Sequence, residues 1–128
     1  MHKVFGTINK KLLLLLAALM AATVLYYGLL FQGQLPDHPI LQRKNDLFLH
    51  LCAFLALTLP VRVLWQHWHS VAALALCAAA IEAIQIFEPR RTADLKDLAA
   101  SLLGVLAGTI IIALLQRALH RNSKANHE

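Results

Sequence analysis

Residues 81–108 read I-E-A-I-Q-I-F-E-P-R-R-T-A-D-L-K-D-L-A-A-S-L-L-G-V-L-A-G. An apolar run carries one carboxylate, Glu82, and three residues on an amide, Gln85. Pro89 stops that helix and biases Glu88 away from helical geometry. A second apolar run then opens with Asp94 and Asp97. Arg91, Asp94, Asp97, Ser101, Gly104 and Gly108 follow one another at steps of three or four residues. On a helix such steps stay on one face. That face begins charged, turns to a small hydroxyl and ends in two glycines.

Outward from this stretch, the whole chain is too apolar for a soluble surface. Its 128 residues are 59% hydrophobic and only 15% charged. Four runs, Leu12–Phe31, Leu47–Trp65, Val71–Phe87 and Leu98–Gln116, approach the ~20 residues that cross a bilayer as a helix. They account for most of the chain, so the expected fold is all-α: a four-helix transmembrane bundle forming a single domain over residues 1–128. The lipid bilayer is its first partner. The basic residues are scattered and no aromatic residues interleave with them, which speaks against nucleic acid. Cys52 and Cys77 lie in apolar runs without metal-ligand spacing and read as small buried hydrophobes. No metal site and no cofactor is assigned.

In chain order, Lys3, Lys10 and Lys11 precede the first run. The run is long for the core of a signal peptide, and no small-x-small site ends it, so it reads as a retained span. Tyr26 and Tyr27 near its exit suit a membrane interface. Gln32–Asn45, with Gly33, Pro36 and Pro39, reads as a loop. The second span opens at Asp46, and His50 lies four residues on, on the same face. Asp46 fits a helix cap equally well. Pro60 is expected to kink this span, and Arg62 to extend toward the nearby interface. Trp65 and Trp68 read as an aromatic belt around a short turn. The third span is rich in alanine, which permits close helix packing. It is therefore the expected partner of the small-residue face at Ala100, Gly104 and Gly108. After Gln116, Arg117, Arg121 and Lys124 read as an exposed, frayed tail.

Basic residues set the orientation. Seven Lys and Arg lie at the termini and the second turn (Lys3, Lys10, Lys11, Arg62, Arg117, Arg121, Lys124), against five on the other side (Arg43, Lys44, Arg90, Arg91, Lys96). The positive-inside rule then puts both termini in the cytoplasm. Asp46, His50, Glu82, Gln85, Arg91, Asp94 and Asp97 all fall near the outer face.

The chain resembles the VanZ-like family of small bacterial membrane proteins. The resemblance rests on Asp46-x3-His50, Glu82-x2-Gln85, Pro89, Arg91, Asp94-x2-Asp97 and Gly104-x3-Gly108, and it covers Asp46 to Gly108 together with the four-span layout. The chain departs from the pattern at Leu47, Phe54 and Ser101, where the family often has Lys, an aromatic hydroxyl and Asn. The resemblance implies a multi-pass protein of the bacterial cytoplasmic membrane and cell envelope. Through the teicoplanin-resistance protein that names the family, it also implies a link to glycopeptide tolerance. It implies no reaction.

An ionisable group within a span is costly and marks a functional site by default. Here two readings stand side by side. In one, Glu82, Gln85, His50 and Arg91 clamp three helices and Asp94 with Asp97 caps the fourth. In the other, Asp46, His50, Glu82, Gln85, Arg91, Asp94 and Asp97 bind a polar headgroup, with Ser101, Gly104 and Gly108 packing the helices below. Three classes of function fit: a module that binds or handles an envelope lipid or lipid-linked precursor; an interaction partner of another membrane protein or of a second copy; and a small membrane enzyme, since Asp46, His50, Glu82, Asp94 and Asp97 include possible acid–base pairs and a His/carboxylate metal set. No nucleophile motif, P-loop or zinc signature supports catalysis, so the balance leans against an enzyme and no catalytic residue is assigned.

Overall fold

The computed structural model describes residues 9–30, 46–87 and 94–125. Asn9 starts the chain's first helix: its side chain accepts a hydrogen bond from the Lys11 N–H at 3.0 Å, satisfying one of the donors a helix start leaves over. Four α-helices follow, α1 (Lys10–Leu25), α2 (Asp46–Leu64), α3 (Trp68–Gln85) and α4 (Leu95–Ala125), with a π-helical turn, Tyr26–Leu30, continuing α1. No strand occurs among the described residues. The expected all-α fold with four transmembrane helices holds: all four helices are long and apolar enough to cross a membrane.

Helices suit these sequences because a bilayer offers no water to backbone N–H and C=O groups, so each span must satisfy its own. The hydroxyls inside the spans do likewise. Thr23, Thr58 and Thr109 each donate to the carbonyl four residues back, at 2.8, 2.6 and 2.8 Å. The outer surface is hydrocarbon. Leu12, Leu15 and Leu19 of α1, Leu76 of α3 and Leu103, Leu106 and Leu114 of α4 are all exposed. An apolar surface this extensive is a liability in water and the natural boundary with lipid. Inside, Phe54 and Leu57 of α2, Leu74, Ala78 and Ile81 of α3 and Val105 of α4 form the core, with Met20, Ala21 and Val24 of α1 packed against it.

The backbones of α2 and α4 approach closely at Gly104 and Gly108. A Cβ added at Gly104 would strike the Leu51 carbonyl oxygen and come within 2.9 Å of the Leu55 nitrogen. One added at Gly108 would lie 2.8 Å from Thr58 Cβ. The glycine face therefore lies on α2, not on the alanine-rich α3 that the sequence suggested. The reason is that Gly104 meets main chain, so no small side chain is needed opposite it. Many of the α3 alanines, Ala73, Ala79, Ala80 and Ala83 among them, are exposed instead.

The helix of α2 continues through Pro60 to Leu64. Arg62 folds back on the α2–α3 turn: its Nη1 donates to the carbonyls of Trp65 (3.1 Å) and His67 (2.9 Å) and to Ser70 Oγ (2.9 Å). A cation here satisfies carbonyls at a helix C-terminus and opposes the negative end of its dipole. Replacing it, as Arg62→Ala, removes these charge-assisted bonds from a half-buried site and is expected to cost about 1–2 kcal/mol. Thermal unfolding of the detergent-purified variant measures this; an unchanged midpoint would show the network to be incidental. Finally, α4 does not fray after Gln116. Its 31 residues extend about 46 Å at 1.5 Å per residue, well beyond a ~30 Å hydrocarbon layer. Arg117 and Arg121 are exposed on a helix that projects past the bundle.

Candidate functional site

Glu82 lies on the buried side of α3, near its end, and is 7% exposed. The burial follows from spacing: Leu74, Ala78, Ile81, Glu82 and Gln85 recur at helical steps and form the inward face of α3. Glu82 Oε2 accepts from the backbone N–H of Asp94 at 3.3 Å. That N–H belongs to the start of α4, where free donors and the positive end of the helix dipole favour an anion. A carboxylate within the bundle is thus set against the end of a neighbouring helix rather than against hydrocarbon.

His50 approaches from α2. Its Nδ1 lies 3.2 Å from Ser101 Oγ on α4, and its Nε2 lies 4.0 Å from Asp97 Oδ2 in the first turn of the same helix. Ser101 is 2% exposed. One donor atom each from His50, Glu82 and Asp97 lie within 4.8 Å of one another. Three helices therefore deliver three titratable side chains to one point. The sequence offers a His and carboxylate metal set among Asp46, His50, Glu82, Asp94 and Asp97 but no zinc signature, so no metal is assigned from it; in the fold His50, Glu82 and Asp97 come together.

The other expected residues are placed differently. Asp94 is exposed, and its Oδ1 accepts from the Lys96 N–H at 2.9 Å, so its side chain caps α4. Gln85 Nε2 donates to the Gly28 carbonyl at 2.8 Å. That carbonyl lies in the π-helical turn, and Gly28 permits the approach: a Cβ there would lie 3.2 Å from Ile81 Cγ2. Gln85 thus ties α3 to the end of the first span. Arg91 and the side chain of Asp46 lie outside the described residues.

Ser101, expected to pack the helices, also presents its hydroxyl to His50. The signal was present, since Ser101 lies four residues after Asp97 on one helix face. A second feature could not be read from the sequence. An open groove of about 340 Å³ runs between α2 and α4, lined among the described residues by Leu47, Phe48, Leu51, Ala99, Ala100 and Leu103 with Lys96; none of His50, Glu82, Asp97 and Ser101 lines it.

Four apolar membrane-length helices, three of which bring together a part-buried His and carboxylate cluster, define a polytopic membrane protein. A family model described as VanZ/LLP1 matches residues 5–116, and the chain belongs to that family. No curated protein and no solved structure matches it.

Proposed function

We propose that this membrane protein holds the polar headgroup of an envelope lipid or lipid-linked precursor at a site formed by His50, Glu82 and Asp97. The single observation that carries the reading is the part-buried His and carboxylate cluster on the same turns of α2 and α4 as a groove whose described lining, which includes none of the cluster residues, is apolar except for Lys96. An amphiphile needs both parts. Its acyl chain gains contact along Leu47, Phe48, Leu51 and Leu103. Lys96, a compact cation at the groove, meets a phosphate as a point charge. The carboxylates accept hydrogen bonds from headgroup hydroxyls or amines, and Ser101 holds His50 in place.

In this reading the bundle sits in the bacterial cytoplasmic membrane with both termini in the cytoplasm, as the seven-to-five distribution of basic residues supports. The site then opens toward the outer leaflet, and handling of envelope lipids there is the route to glycopeptide tolerance.

Native mass spectrometry of the detergent-purified chain tests the lipid. The wild type is expected to retain one phosphate-bearing lipid. Lys96→Glu reverses the charge at the groove and should lower lipid occupancy at least fivefold. Equal occupancy in the variant, or no retained lipid in the wild type, would overturn the reading.

A further inference from the structure

We infer that His50, Glu82 and Asp97 form a site for a divalent cation of the zinc class, with Ser101 positioning His50. The inference deepens the headgroup reading, since a cation held by three protein ligands leaves coordination positions open to a headgroup oxygen. Its own test uses metal alone, so it stands or falls separately from lipid binding.

The donor set fits. One imidazole and two carboxylates supply three ligands, the number a zinc site with an open position uses. The imidazole favours zinc over magnesium or calcium, which prefer oxygen alone.

The geometry is close to that required. The three donor atoms lie within 4.8 Å of one another. A point equidistant from three atoms 4.8 Å apart (4.8 Å divided by √3) lies about 2.8 Å from each, against roughly 2.0–2.2 Å for bonded zinc. Binding would draw each donor inward by about 0.6–0.8 Å. Each ligand comes from a different helix, so the ion would join α2, α3 and α4.

The surrounding contacts are those that metal ligands use. His50 Nδ1 pairs with Ser101 Oγ at 3.2 Å, and its Nε2 lies on the side of Asp97, 4.0 Å from Oδ2. A partner on the second ring nitrogen fixes the tautomer and the ring plane of a ligating histidine. The Asp94 N–H does the same for Glu82 by holding Oε2.

The test is equilibrium zinc binding to the full chain, purified in detergent without a histidine tag and stripped with chelator. Isothermal titration should give one saturable site per chain, not displaced by millimolar Mg²⁺. Cobalt should occupy the same site and give visible ligand-field bands. Asp97→Asn and His50→Ala should each weaken zinc binding at least a hundredfold, and Ser101→Ala about tenfold. His67→Ala/His69→Ala, in the distant turn, should bind as the wild type does. Circular dichroism and size exclusion establish that each variant is folded. Should His50→Ala not fold, Asp97→Asn decides. Absence of a one-to-one site, or a one-to-one site that survives Asp97→Asn unchanged, would overturn the inference.

Discussion

Gly104→Ala is expected to destabilise the bundle, and Gly104→Leu to abolish folded protein. Alanine is the better helix former by about 1 kcal/mol, so in an open position the first change would stabilise. Here its methyl would strike the Leu51 carbonyl and lie 2.9 Å from the Leu55 nitrogen. Main-chain atoms cannot rotate away, so α2 and α4 must separate. Overpacking of this kind costs roughly 1–3 kcal/mol and outweighs the propensity gain. In a bilayer the loss is not recovered elsewhere, because helix association rests on close packing rather than on hydrophobic burial. Gly108→Ala should be milder, since part of what it meets is the Thr58 side chain, with Cγ2 at 2.9 Å. Membrane yield and thermal midpoint in detergent check this. Wild-type values for Gly104→Leu would show that the two helices are not in contact.

The second large effect is expected on function with little effect on folding. Glu82→Gln and Asp97→Asn keep shape and remove charge. If the cluster were only a clamp between helices, the charges could lie anywhere along the bundle. Instead they collect beside the start of α4, level with a groove that suits an acyl chain. The amide of Gln can still accept from the Asp94 N–H, so the link between α3 and α4 survives. A stability change within about 1 kcal/mol is expected, as for a neutral hydrogen bond replacing a charged one. Any teicoplanin tolerance conferred by the chain in a susceptible host should fall to the level of the empty vector, at matched protein abundance. Tolerance retained in both variants, or lost only in proportion to protein, would make the cluster structural.

Much of this was legible in the sequence. Four apolar runs and little charge can hardly fold otherwise than as membrane helices, and the steps from Asp97 to Ser101 to Gly104 mark one face of α4. The choice of neighbour was not legible. Gly104 touches main chain of α2, and a sequence displays side chains only. Gln85 shows a second limit. It shares the inward face of α3 with Glu82, yet residues three apart differ by about 60° around a helix. That is enough for Glu82 to face α4 while Gln85 reaches the π-helical turn after α1. That His50, Glu82 and Asp97 share one level near the outer face was legible from the four-span layout; which atoms meet, His50 Nδ1 with Ser101 Oγ and Nε2 toward Asp97 Oδ2, was not, because spacing within each helix does not encode how helices rotate against one another.

The central claim, that the cluster and the groove together hold a lipid headgroup and its chain, is tested most directly by photocrosslinking in intact membranes. A benzophenone amino acid is placed at Phe48, an exposed groove residue, and the adducts are identified by mass spectrometry. The account predicts a phosphate-bearing lipid adduct that falls at least fivefold when Glu82→Gln is added. Crosslinks to protein alone, or a lipid adduct indifferent to Glu82, would contradict it.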